Sequence, residues 1–350
     1  MLTRENFTEA RIRELQSGSR RDPALIERTI YAFGLLEAIT SVGLPFVFKG
    51  GTCLMLLLKH SQRLSTDIDI IVEPGTNVEE YIKKASKIFP FVRYEEQMRK
   101  GKNNIEKRHF KFTYESPLNG KEFYILLDVL YEVNYYERLV ECKIENELLI
   151  TEHEMLKVKV PSIESLLGDK LTAFAPHTTG IPLGVGKDME AMKQLYDVST
   201  LIDEFDDLNE VRKTYQKVVQ SEIEYRGIDV SWKECLRDTF EASLCIAARG
   251  KYNEKEYPLY VTGIRDLRGH IYSEKYSPEI AVIRAVKTAY IAVCLMADVP
   301  FERVEDYTEY LKEKFTQSKL MVVKYLRKVN PEAYAYMIKA DRILKNVTII

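Results

Sequence analysis

The sequence is poor in the features that mark secreted, zinc-binding and membrane proteins. Its five cysteines (Cys53, Cys142, Cys235, Cys245 and Cys294) show no C-x-x-C spacing, which argues against both a zinc site and a disulfide framework. The opening residues, Met1-Leu2-Thr3-Arg4-Glu5-Asn6, hold no apolar signal-peptide core. No unbroken apolar run comes near the roughly 20 residues that span a bilayer, so a cytoplasmic protein without membrane contact is expected. Internal repeats and low-complexity tracts are missing too, and the net charge is only -2. What remains is 350 residues with 45% hydrophobic and 30% charged content, room for two globular domains.

Against that background one stretch carries chemistry. Phe46-Val47-Phe48 reads as a strand, Lys49-Gly50-Gly51-Thr52 as a glycine turn, and Cys53 to Lys59 as an apolar helix. A second strand follows, Asp67-Ile68-Asp69-Ile70-Ile71-Val72. Alternate side chains on a strand share a face, so Asp67 and Asp69 should point one way while Ile68 and Ile70 enter the core. Paired carboxylates are hard oxygen ligands suited to Mg²⁺, with Mn²⁺ as a substitute. Paired glycines let backbone amides approach a phosphate at a helix N-terminus. A Gly-Gly pair alone is an ordinary turn, and a lone Asp-x-Asp an ordinary solvated strand edge. Their occurrence in this order, between apolar strands, is what suggests a nucleoside triphosphate and its metals.

Downstream, Phe123 to Val133 reads as a strand that carries Asp128 inside Tyr124-Ile125-Leu126-Leu127-Asp128-Val129-Leu130. A carboxylate in so apolar a run is costly to bury unless it is paired or binds a metal. It is either a third acid on the Asp67/Asp69 face or an Asp at a sheet rim or bulge, and the three-acid site is favoured. Pro23 to Val42 should form a helix capped by Asp22, and Phe91 to Met98 with Ile105 to Tyr114 a hairpin turning at Lys100-Gly101-Lys102-Asn103-Asn104. After Pro161 the chain turns mostly helical, with Gly250 to Ser277 the expected irregular stretch. Two basic segments stand out: Lys83 to Lys111 has ten Lys or Arg against three Glu, and Lys312 to Lys345 nine against three acids. Interleaved aromatics (Phe91, Tyr94, Phe110, Tyr325, Tyr334, Tyr336) fit either unpaired nucleotides or an ordinary core.

The glycine turn, helix and Asp-x-Asp strand resemble the nucleotidyltransferase superfamily of polymerase β, and more narrowly the AbiEii/AbiGii toxin family that includes the MenT toxins. Gly50-Gly51-Thr52 and Arg63-Leu64-Ser65-Thr66-Asp67-Ile68-Asp69 match its first element, and Asp128 the later acidic strand residue. Ser162, Glu164, Lys170 and Ala173 match a Ser/Glu/Lys/Ala helix with the Ser–Glu spacing one residue short; Lys193 to Asp197 matches a last helix, with Gln194 where an Asp is usual. The resemblance covers roughly residues 46 to 200 and leaves the C-terminal half without a motif.

The resemblance implies an α/β fold: a polymerase β-like mixed sheet with flanking helices over residues 1–160. A mainly helical domain over 161–350 would complete the nucleotide cleft and bind the acceptor. It implies transfer of a nucleotidyl group to an acceptor hydroxyl, in MenT-like members at the 3′ end of tRNA, with an antitoxin as partner in a toxin–antitoxin or phage-defence system. Asp67, Asp69 and Asp128 would hold metal, with Asp128 also able to accept the hydroxyl proton. Gly50, Gly51 and Thr52 would hold the phosphate tail, and Arg63 and Ser65 could contact phosphate or belong to an exposed loop. Lys170 would be a point charge on the triphosphate, oriented by Asp197, the alternatives being a snorkelling surface Lys and a surface Asp. Two other classes remain open: an antibiotic-type enzyme acting on a small molecule, and a non-catalytic nucleotide-binding partner protein.

Overall fold

The computed structural model describes residues 1–17, 22–58, 60, 62–97 and 106–346. It divides into two compact units, Met1–Ser162 with Gly269–Lys275, and Ile163–Arg268 with Tyr276–Ile350. The second half is therefore not one uninterrupted domain, because a short return segment belongs to the first unit. Its attachment is local: Arg63 bridges Ile271, and the Leu64 amide donates to the His270 carbonyl at 2.8 Å.

The first unit runs α1 (Glu9–Ser17), α2 (Pro23–Ser41), β1 (Val47–Lys49), α3 (Gly50–Leu57), β2 (Ile68–Val72) and α4 (Glu79–Ala85). It continues through β3 (Arg93–Glu96), β4 (Lys107–Glu115), β5 (Glu122–Tyr131), β6 (Leu139–Lys143) and β7 (Lys157–Pro161). Among the described residues the strands form one seven-stranded sheet in the order β3-β4-β5-β2-β1-β7-β6. It is mixed: β2–β5 and β1–β7 are parallel, and the other neighbours antiparallel. Asp22 caps α2 by accepting from the Ala24 amide, with Pro23 in the first turn where its missing N–H costs nothing. Along β5, Ile125, Leu127 and Val129 are buried, as are their partners Phe112, Phe110, Ile68 and Ile70 on the adjoining strands. That apolar face fixes the register, since a slip of one residue would turn it outward. The same period of two puts Asp69 and Asp128 on the opposite, less buried face.

The second unit comprises α5 (Ile163–Ala173), α6 (Asp188–Glu204), α7 (Leu208–Arg226), α8 (Trp232–Ala247), α9 (Tyr257–Leu267), α10 (Pro278–Ala297), α11 (Leu326–Val329) and α12 (Pro331–Asn346). One sequence expectation fails here. The stretch read as irregular contains α9: Pro258 is harmless in a first turn, and Tyr260, Ile264 and Leu267 form its buried face. α10 is long and apolar enough, by length and composition, to cross a membrane, although it holds no unbroken apolar run. Glu279, Arg284 and Lys287 interrupt any such run. Most of the helix is buried, packed against α6, α8 and α12. Lys287 pairs with Asp203 at 2.8 Å, and Arg284 lies 4.0 Å from the Tyr196 ring centre.

This unit also holds a histidine between carboxylates. His177 Nδ1 is 2.6 Å from Asp238 Oδ1, Nε2 is 2.9 Å from Glu256 Oε1, and the His177 amide donates to Asp238 Oδ2 at 2.8 Å. The Asp238 hydrogen bond, opposed by burial and reinforced by Glu256, pushes His177 from 6.5 up to about 9. A folded-state value above the unfolded one means the contribution is complete below pH 6.5 and lost as pH rises through about 9. The imidazole is half exposed, so screening leaves about 1 kcal/mol. His177→Gln should therefore melt a few degrees below the parent at pH 6, and the two should converge near pH 10. Parallel melting curves across that range would contradict the ion-pair account.

Candidate active site

The site starts at the end of β1. Lys49 is the last strand residue, and α3 begins at the glycines themselves, three residues earlier than the apolar pattern suggests. Gly50 has φ +85°, and a methyl group there would overlap Asp69 Oδ2. Gly51 is as tightly placed: a Cβ would fall 2.5 Å from a guanidinium nitrogen of Arg63 and 2.8 Å from Ser65 Oγ. The two glycines thus let the start of α3 touch the Asp69 carboxylate on one side and Arg63 and Ser65 on the other. Gly50→Ala should cost about 1–2 kcal/mol of stability from backbone strain. Displacement of Asp69 should lower turnover by roughly 100-fold. A thermal melt and a transfer assay on one preparation check both, and unchanged turnover would show that the close approach is incidental.

Three expected site residues are placed otherwise than the sequence suggested. Thr52 is fully buried and its hydroxyl donates to the Asp67 carbonyl at 2.7 Å, so its side chain ties α3 to the strand rather than reaching for phosphate. Arg63 is buried, not on an exposed loop, with its guanidinium donating to the Leu64 carbonyl at 3.2 Å. Asp67 lies one residue before β2, which begins at Ile68.

Asp128 sits in β5 without a bulge, its pairing with β4 running unbroken from Glu122 to Leu130. It is the direct parallel partner of Asp69. Asp69 is in turn the antiparallel partner of Lys49, and Asp128 that of His109. Direct partners share a sheet face, so His109, Asp128, Asp69 and Lys49 make one polar row across β4, β5, β2 and β1. His109 Nδ1 lies 2.6 Å from Asp128 Oδ1. Sequence reasoning missed His109 and gave Lys49 no role, because cross-strand register depends on loop lengths that no local pattern encodes. The alternation of β4 was the available signal, and it placed His109 on the polar face.

In the second unit Lys170 and Asp197 come together. Lys170 Nζ is 3.0 Å from Asp197 Oδ2 and 3.1 Å from Gln194 Oε1, with the two paired side chains 10% and 1% exposed. Neither is the surface residue that composition would favour. Glu164 faces elsewhere, accepting from the Asp206 amide at 3.2 Å.

Some cations of the basic segments are held in ion pairs where described. Arg93 forms a two-pronged pair with Glu122, Arg108 binds Glu96 at 2.7 Å and Glu79 at 3.1 Å, and Lys111 approaches Glu95 at 3.9 Å. Lys339 pairs with Glu302 at 2.6 Å, and Arg342 with Glu313. Phe91, Phe110, Tyr334 and Tyr336 are buried core residues. The turn at Lys100 to Asn104 lies outside the described residues.

The donor set suits a hard divalent cation in kind: three carboxylates, two of them in direct register and Asp128 one-third exposed. Among the described residues no three His, Cys, Asp or Glu side chains already converge as a metal-binding group. Asp67 and Asp69 would have to turn toward Asp128 to close on an ion, and partly exposed Asp side chains, whose χ2 is broad, can do so.

Comparison with known proteins adds the family. Residues 35–258 match the family described as nucleotidyl transferase AbiEii toxin, type IV TA system. The fold is similar to JHP933 from Helicobacter pylori, with 14% identity over 78% of this chain and 94% of that one, TM-score 0.45. An antigenic nucleotidyltransferase-like protein from Paracoccidioides brasiliensis is similar over 56% of this chain and 91% of its own, with 15% identity and TM-score 0.34. No curated protein sequence matches.

Proposed function

We propose that this chain, which belongs to the AbiEii nucleotidyl transferase toxin family, moves a nucleotidyl group from a nucleoside triphosphate to an RNA hydroxyl, with the 3′ end of tRNA as acceptor. It is a nucleotidyltransferase, and its type IV toxin–antitoxin class implies a nucleotide substrate and a cognate antitoxin. The observation that supports the reaction is the Asp69–Asp128 register with the start of α3 pressed against Asp69.

The acceptor oxygen attacks the α-phosphorus, the α–β bridging bond breaks, and pyrophosphate leaves. Asp67, Asp69 and Asp128 would hold Mg²⁺ or Mn²⁺, which when bound offsets charge on the phosphates and acidifies the acceptor hydroxyl. Asp128 is the candidate acceptor of the hydroxyl proton. The amides of Gly50 and Gly51 open α3, where the helix dipole favours phosphate. Ser65, beside Gly51, is a candidate phosphate contact. Lys170, held by Asp197 and Gln194, is the candidate positive charge on the triphosphate.

Incubating the protein with each labelled triphosphate, Mg²⁺ and total RNA tests the reading: label should enter RNA, and no label in any fraction would defeat it. A second reading is favoured by the ion pairs that occupy Arg93, Arg108 and Lys111. With those cations committed, the acceptor could be a small molecule. Transfer to RNA should fall steeply as salt rises, whereas transfer to a drug-sized acceptor should not.

A further inference from the structure

Asp128 is held from one side. His109 is its direct partner across the β4–β5 pairing, and the 2.6 Å contact joins Nδ1 to a single oxygen, Oδ1. A carboxylate only accepts, so Nδ1 carries the hydrogen and donates it. The imidazole is 14% exposed and the carboxylate 33%, so the ring is the more deeply seated of the two. The next residue in the row beyond Asp128 is Asp69, again in direct register.

We propose that His109 is a positioning residue: its Nδ1–H fixes the Asp128 carboxylate in one rotation, leaving the second oxygen to ligate a divalent cation on the strip shared with Asp69. This rests on the cation-binding reading of the three carboxylates. An unheld Asp samples a broad, roughly two-fold χ2 distribution, and a ligand that must be ordered on binding holds its ion less tightly. Outer hydrogen-bond partners of ligating groups typically contribute 10–100-fold in affinity or activity. A cross-strand bond with only a structural role would change the melting temperature and nothing else.

The test is Mn²⁺ titration followed by electron paramagnetic resonance, alongside kcat and KM, on the full chain. His109→Phe, which keeps a ring and loses the donor, should weaken Mn²⁺ binding and lower kcat, each about 10–100-fold, with KM for the triphosphate little changed. His109→Asn places an amide nitrogen where Nδ1 lies and should stay within about threefold of the parent, a bound well under that 10–100-fold loss. His109→Gln, one methylene longer, should behave like His109→Phe. In an Asp128→Asn background His109→Phe should add no further loss. Parent-like Mn²⁺ binding by His109→Phe would overturn the proposal, as would an undiminished effect in the Asp128→Asn background. Should His109→Phe fail to fold, equal Mn²⁺ affinity for the Asn and Gln variants would overturn it as well. A parent that binds no Mn²⁺ would remove the cation reading and this proposal together, whereas a parent that binds Mn²⁺ but labels no acceptor would remove only the proposed reaction.

Discussion

Asp69→Asn should abolish nucleotidyl transfer, lowering turnover by about three orders of magnitude or more, in a protein that melts close to the parent. The size follows from charge. A carboxylate placed to hold a cation on a triphosphate acts where charge builds in the transition state, and removing even one neutral donor from such a place costs 10²–10³-fold. The sparing of stability follows from shape. Asn has nearly the volume of Asp, so the contact with Gly50 persists, and the polar row faces away from the buried side chains of Ile68 and Ile70. Gly50→Ala is the complementary change, keeping the charge and moving its position. Labelled-nucleotide transfer and a circular-dichroism melt on one preparation separate the two effects. Near-normal turnover by a folded Asp69→Asn protein would end the assignment of this strand to catalysis.

Much of this site was legible because its elements are local. Gly50-Gly51 and Asp69 lie within 20 residues, so a turn, a short helix and a period-two strand suffice to bring them together, although Asp67 falls one residue short of the strand. Asp128 could be suspected from one carboxylate in an apolar strand, but its pairing with Asp69 is a parallel register set by everything between them. The residues read least well were those whose partners are distant in sequence. Thr52 looked like a phosphate ligand because it follows two glycines, yet its hydroxyl serves the Asp67 carbonyl. Arg93 and Arg108 looked like free positive charge because their carboxylate partners, Glu122 and Glu96, lie on neighbouring strands. The depth at which α10 is buried could not be read from its sequence, because a helical unit tolerates Arg284 and Lys287 once each finds an aromatic face or an acid.

Lys170 and Asp197 should show the opposite pattern to Asp69, with stability and activity both falling and only one of them recoverable. Their ion pair is nearly sealed from water, at 10% and 1% exposure and 3.0 Å. Removing one partner of a buried pair leaves the other charge unsolvated, at a cost of roughly 3–5 kcal/mol, more than the pair itself contributes. Asp197→Ala leaves the Lys170 ammonium with Gln194 as its described neighbour, so a loss of about 3 kcal/mol and a melting temperature lower by several degrees are expected. Replacing both, Lys170→Met with Asp197→Leu, removes charge and counter-charge together. Apolar substitutes of similar volume for a buried pair are often neutral, so the double variant should recover most of the lost stability. It should not recover transfer if Lys170 supplies positive charge to the triphosphate. Denaturant melts and transfer assays on the two single variants and the double variant close the cycle. A double variant that is both stable and active would make the pair a packing feature of the helical unit and leave the triphosphate to be neutralised by other residues.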